Sequence, residues 1–161
     1  MSIKIIHGNA HALPLEDNTV DLVVTSPPYF GLRSYTDNGE HYEGQIGSEA
    51  TPAEFMDALI AATREMVRVV KPSGSIWVNL GDKYSGVNIG TTSGHKSGTI
   101  TASSQDRMRT TAGMDVGGRP KSLIGIPWRY ALRCIDDLGL ILRAEVIWSK
   151  PNGLPESVTD R

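Results

Sequence analysis

Ser26-Pro27-Pro28-Tyr29 follows the apolar run Val20-Asp21-Leu22-Val23-Val24-Thr25, and its residue types can do chemistry there. Two consecutive prolines offer no N–H to a sheet ladder, so the chain has to leave the sheet at this point with fixed φ angles. The turn presents the Ser26 hydroxyl, a bare Pro27 carbonyl and the face of Tyr29 at a strand's carboxyl end, the edge where open α/β sheets bind ligands. Rigid acceptors beside a stacking ring suit reactions at the amino group of a flat heterocycle. A proline-rich surface turn would carry the same four residues, so the surrounding elements decide between the two readings.

Those elements alternate strand and helix. Ile3–Ile6 reads as a short strand ended by Gly8-Asn9, and Ala10–Leu13 as one helical turn before Pro14. Val20–Thr25 is nearly continuous in apolar residues, which predicts a parallel strand buried on both faces. Residues 30–50 read as a long loop. Thr51-Pro52-Ala53-Glu54 is a helix start, with Thr51 as N-cap, Pro52 at the first helical position and Glu54 closing a capping box. The helix that follows carries one apolar stripe through Phe55, Leu59, Ala62 and Met66, and stops at Lys71-Pro72-Ser73-Gly74. Ser75–Leu80 reads as the next strand, and a strand–helix–strand unit implies a parallel sheet. A second helix is expected from about Pro127 to Leu138, closed by Gly139, then a strand over Leu140–Trp148. Trp77 and Trp148 read as core residues within their strands.

Residues 83–120, rich in Gly, Ser and Thr, are too long and polar for a structural connection and read as a functional or disordered loop. The net charge of −2 hides a split along the chain. Residues 1–82 balance at −6, residues 83–121 at +4 and residues 122–161 at zero. A local positive stretch is what meeting phosphates requires, although a solvated loop would show the same bias. At 161 residues the chain suits about one domain. No apolar run approaches a membrane span, no basic-then-apolar leader opens the chain, and a cytoplasmic location is the default. The lone Cys134 excludes an internal disulfide framework and reads as a small buried residue of a helix. The four histidines show no metal-ligand spacing.

In this order the blocks resemble the DNA amino-methyltransferases, which methylate the exocyclic amine of cytosine or adenine. His7-Gly8-Asn9-Ala10 resembles the family's Gly-Asp segment, and Val20 to Tyr29 its strand and catalytic motif. Lys71 to Asp82 is similar to the following helix end and strand. Ile126-Pro127-Trp128-Arg129 and Trp148-Ser149-Lys150-Pro151-Asn152 are similar to its late motifs. The resemblance implies an α/β fold, a three-layer sandwich around a mostly parallel sheet, Rossmann-like. It also implies S-adenosyl-L-methionine as cofactor, double-stranded DNA as partner and a place among restriction-modification enzymes.

The chemistry agrees with that implication. The lone pair of such an amine is delocalised into the ring, so catalysis needs acceptors aimed at its N–H bonds while charge develops. Ser26 and the carbonyl of Pro27, held rigid by Pro28, would supply them, and Tyr29 would stack on a base flipped from the duplex. No covalent nucleophile is required. Ser at position 26, where the family also uses Asp, tilts the target toward cytosine N4, with adenine N6 as the alternative. Asn9 and Asp82 are the expected cofactor contacts. Arg33, Tyr35, Arg107, Arg109, Arg119, Lys121, Lys150 and Asn152 are the expected DNA contacts.

Two departures shape the expectation. Position 9 is Asn where the family commonly has Asp, and an amide can still hydrogen-bond an adenine edge. No strand–glycine loop–helix pattern is present to hold the methionine part of the cofactor. Residues 1–161 are therefore expected to be an incomplete catalytic part, with the cofactor-binding half as a missing partner. A non-catalytic DNA-binding module that needs a second chain for cofactor binding is the rival from a different class.

Overall fold

The computed structural model describes residues 2–32, 36–37, 40–41, 44–85 and 122–152. Its elements in chain order are β1 (Val20–Thr25), β2 (Thr36–Asp37), β3 (Glu40–His41), α1 (Pro52–Val69), β4 (Val70–Val78) and α2 (Ile126–Leu138). The architecture is mixed α/β. β1 and β4 pair in parallel, with Val23 opposite Ile76, Val24 opposite Trp77 and Thr25 opposite Val78. The register shifts between Val20, opposite Val70, and Leu22, opposite Ser75, so β4 bulges at Lys71-Pro72-Ser73-Gly74. Pro72 has no N–H for a ladder, and a bulge is where a strand tolerates that. β2 and β3 form a separate antiparallel pair inside the segment expected to be loop alone.

Helix α1 forms where its sequence signals lie. Thr51 Oγ accepts the Glu54 N–H at 3.2 Å, and the Glu54 carboxylate accepts the Thr51 N–H at 3.0 Å, which satisfies two donors that a helix start otherwise leaves unpaired. Thr51→Ala is expected to cost about 1 kcal/mol, read as a fall in thermal or urea midpoint with the fold retained. At the other end, α1 passes directly into β4 at Val70. The Arg68 guanidinium binds the Leu13 and Leu15 carbonyls, both at 2.9 Å, and Asp17 at 2.6 Å. Glu65 is held below the usual carboxylate range by its hydrogen bond to Arg68 and by the Leu13 N–H. These bonds fix residues 13–19 against α1 and so set where β1 begins.

The core lies between α1, α2 and the turn after β1. Phe30, Phe55, Met56, Leu59, Ile60, Ile124, Ile126, Tyr130 and Cys134 are buried together, with Val78 and Leu80 packed against them. The Phe30 and Phe55 rings are 5.4 Å apart, a favourable tilted pair. Helix α2 ends as expected. Gly139, at φ 65°, donates to the Ile135 carbonyl at 3.0 Å, and Leu140 donates to Cys134 at 3.1 Å. Burial pushes the Cys134 thiol up, as suits a small core residue.

Several expectations are corrected. Ile3–Ile6 and Leu140–Trp148 are irregular and form no strand, and Ile5 and Trp148 are 94% and 73% exposed. An apolar run becomes a strand only when a neighbour completes its hydrogen-bond ladder, and among the described residues none flanks the β1–β4 pair. β1 is also covered on one face only, because among the described residues no element packs over the other. Leu22, Val24 and Trp77 on the other face are exposed, so neither Trp77 nor Trp148 is a core residue here. The described residues give a parallel pair with two packed helices, consistent with a methyltransferase fold. Residues 86–121, most of the expected polar loop, lie outside the described residues. The ends of that stretch are joined: Tyr84 bridges Leu123, Ser85 N–H donates to Ser122 at 2.7 Å and Ile124 N–H donates to Lys83 at 3.0 Å. Among the described residues, no helix is long and apolar enough to cross a membrane.

Candidate active site

The Ser-Pro-Pro-Tyr turn stands at the carboxyl end of β1. The Thr25 carbonyl accepts the Asn79 N–H at 2.9 Å, which is the last sheet bond before the prolines. Ser26 is exposed, and Pro27, Pro28 and Tyr29 are half-buried. Among the described residues, no hydrogen bond uses the Ser26 hydroxyl or the Pro27 carbonyl, so both acceptors are unused there. The chain then doubles back, with Leu32 N–H donating to Tyr29 at 3.2 Å and Gly31 N–H to Gly47 at 2.8 Å.

Three supports hold this turn. Phe30 is 1% exposed and anchors it in the core. Gly47, at φ 99°, lies so close that a Cβ would meet Pro28 Cβ and the Tyr29 carbonyl, each at 3.1 Å. Only glycine combines that φ with that approach. Gly81, three residues beyond β4, lies against the Tyr29 ring, where a Cβ would meet Cε2 at 2.8 Å. Lys83 Nζ sits 5.1 Å from the Phe30 ring centroid, a cation–π distance, and burial lowers the pKa of its ammonium.

Behind the turn is a cavity of about 210 Å³, whose lining includes Ser26, Pro27, Pro28, Thr63 and Tyr130. It is below the roughly 300–1,000 Å³ of drug-sized ligand sites, a scale closer to one ring system. Its polar wall is a buried hydroxyl pair, with Thr63 Oγ1 2.7 Å from the Tyr130 hydroxyl. Thr63 spends its proton on the Leu59 carbonyl at 2.7 Å, so Tyr130 donates to Thr63. Burial raises the Tyr130 pKa above the ordinary phenol range. Thr63→Val strands that donor and is expected to cost about 1–3 kcal/mol. Adding Tyr130→Phe is expected to restore much of the loss, as urea unfolding of the two variants would show.

The other expected site residues are placed differently. Asn9 is exposed, and its Oδ1 takes the His11 N–H at 2.9 Å. Its amide NH₂ makes no hydrogen bond among the described residues. Asp82, expected at the cofactor, has both carboxylate oxygens engaged. They accept the N–H groups of Lys83 at 2.9 Å, Gly125 at 2.9 Å and Ile126 at 3.2 Å. Gly125 has no side chain to cap α2, so Asp82 supplies the cap from across the fold. Lys150 and Asn152 are exposed in the irregular segment after α2, and no hydrogen bond or ion pair ties them to the turn. Arg33, Tyr35, Arg107, Arg109, Arg119 and Lys121 lie outside the described residues.

The linear pattern does not mark Gly47, Lys83 or the Thr63–Tyr130 pair: Gly47 reads as a loop glycine, and nothing joins Thr63 to Tyr130. Gly81 reads as a glycine after a strand, with no helical pattern behind it and no sign of the Tyr29 ring.

A turn with unused acceptors and an aromatic residue thus stands at the end of a parallel strand, in a mixed α/β arrangement consistent with a methyltransferase fold. The chain belongs to the DNA amino-methyltransferase family: the DNA methylase family model matches residues 20–161. It is 42% identical over 147 residues to the Type II methyltransferase M.XycI of Xanthomonas campestris pv. cyanopsidis, covering 91% of this chain and 45% of that protein. It is 40% identical to the Type II methyltransferase M.Cfr9I of Citrobacter freundii, with the same coverage of each chain. Similarity to the Type II methyltransferase M.SmaI of Serratia marcescens is 39% over 168 residues, covering 99% of this chain and 52% of that one. The chain thus spans about half the length of these curated relatives. No solved structure matches it significantly.

Proposed function

We propose that the protein transfers a methyl group from S-adenosyl-L-methionine to the exocyclic amine of a base flipped from double-stranded DNA, cytosine N4 being the favoured target. The observation that carries this reading is the pair of unused acceptors, the Ser26 hydroxyl and Pro27 carbonyl, fixed beside the Tyr29 ring at the edge of the sheet. Family membership gives that geometry its substrate class.

Asn9 is assigned to the adenine end of the cofactor, where its amide NH₂, unused among the described residues, would donate to a ring nitrogen. Asp82 serves the site by holding the start of α2. When bound, the cofactor supplies an electrophilic methyl on a sulfonium. Ser26 and Pro27 accept the two N–H bonds of the target amine and draw its lone pair out of conjugation with the ring. The nitrogen would gain the methyl as the donor's S–CH₃ bond breaks to leave the neutral thioether, and would give up one proton to solvent. Tyr29 stacks on the base and keeps it from returning to the duplex. Arg33, Tyr35, Arg107, Arg109, Arg119, Lys121, Lys150 and Asn152 are assigned to DNA, the cations among them to its phosphates.

The test is nucleoside analysis of DNA incubated with the protein and methyl-labelled S-adenosyl-L-methionine. Label in N4-methylcytosine is the expected result, and N6-methyladenine would select the alternative base. Product only after a second, cofactor-binding chain is added would favour the split reading. No labelled base under either condition would overturn methyl transfer.

A further inference from the structure

We infer that Gly81 is the positioning residue that seats the Tyr29 ring, and so determines which part of that ring is left for the target base. A Cβ at Gly81 would stand 2.8 Å from Tyr29 Cε2, 3.1 Å from Cδ2 and 3.3 Å from Cζ, one continuous edge of the phenol. Five other glycines, Gly31, Gly44, Gly47, Gly125 and Gly139, answer to their backbone with positive φ, and Gly74 to the Asp21 carbonyl and Val70 side chain that a Cβ would meet. Gly81 has no positive φ, so its backbone would accept a side chain. What excludes one is the ring of Tyr29.

The Gly81 backbone is also poorly placed to retreat. Two residues before it, Asn79 N–H is bonded to Thr25 at 2.9 Å. The residue after it, Asp82, is fixed through its carboxylate to Gly125 and Ile126 at the start of α2. An added methyl would therefore displace the ring instead of the strand end. Bringing a 2.8 Å approach out to an ordinary 3.4–4 Å contact moves the ring edge by about 1 Å. A misplacement of that size at a reacting centre can cost roughly 100-fold in rate.

This inference rests on the reading that Tyr29 stacks on the base, and its test separates the two. The protein is labelled with 3-fluorotyrosine, and the Tyr29 and Tyr130 fluorine resonances are assigned with Tyr29→Phe and Tyr130→Phe. Gly81→Ala is expected to move the Tyr29 resonance and leave that of Tyr130, in the core, in place. Turnover is expected to fall roughly 100-fold with KM for S-adenosyl-L-methionine unchanged. In a Tyr29→Ala background the same substitution is expected to cost nothing further, because the group it strikes is gone. An unmoved Tyr29 resonance, or an equal loss in the Tyr29→Ala background, would overturn the inference. If Gly81→Ala fails to fold, recovery of the fold in the Tyr29→Ala double variant supports the seat, and failure of both overturns it. A moved resonance in a protein that methylates no base, with or without an added cofactor-binding chain, leaves the seat standing and removes the methyl-transfer reading.

Discussion

Asp82→Ala is expected to lower the melting temperature by roughly 6–12 °C, although the residue is neither apolar nor part of the core. Its carboxylate accepts N–H groups from Gly125 and Ile126, the first donors of α2, at 2.9–3.2 Å. Gly125 offers no cap of its own, so the substitution leaves those donors in a half-buried place without an acceptor. Bonds to a charged group contribute about 1.5–3 kcal/mol each, and stranded donors cost similar amounts. Allowing for relaxation and water entry, a loss of about 3 kcal/mol corresponds to that shift at roughly 2–4 °C per kcal/mol for a chain of this size. Asp82→Asn keeps an oxygen on the same atoms and loses the charge, so about half the effect is expected. A surface carboxylate without this role would move stability by less than about 0.5 kcal/mol. Differential scanning calorimetry of the three proteins separates the cases, and equal midpoints would refute the capping role.

Asp82 also shows which parts of this molecule a linear reading can reach. Its position at a strand end was legible, and a cofactor contact was the natural expectation. Its actual partners lie 43 and 44 residues away, and nothing in the sequence pairs Asp82 with Gly125. The capping box at Thr51 and Glu54 was legible because the donors and acceptors lie within one turn. The stop at Gly139 was legible for the same reason. The Ser-Pro-Pro-Tyr turn could be placed because two prolines forbid a ladder whatever surrounds them. Seating of Tyr29 on Gly81 could not be read, since a glycine kept for a distant ring looks like any turn glycine. The strands expected at Ile3–Ile6 and Leu140–Trp148 failed differently. Their apolar patterns are present, but a strand is a property of a pair, and the described residues supply no partner beside either segment.

Ser26→Ala is expected to reduce turnover by about 100-fold while leaving the melting temperature unchanged. Stability is spared because Ser26 is exposed and its hydroxyl makes no hydrogen bond among the described residues. Removing one preorganised polar group aimed at developing charge typically costs about 10²–10³ in turnover. The neighbouring Pro27 carbonyl remains, so activity is expected to persist at the low end of that loss instead of vanishing. The loss belongs in kcat: the base stacking proposed for Tyr29 would be untouched, and KM for DNA is expected to change by less than about threefold. Ser26→Asp restores an acceptor at the same position, one carbon further from the backbone, and is expected to recover turnover, with its carboxylate drawing one amine N–H in place of the hydroxyl. Steady-state methylation of DNA by the three proteins reads both parameters. A rise in KM at constant kcat would place Ser26 in DNA binding. Full activity in Ser26→Ala would leave the Pro27 carbonyl as the sole acceptor of the turn, and amine polarisation would rest on the backbone alone.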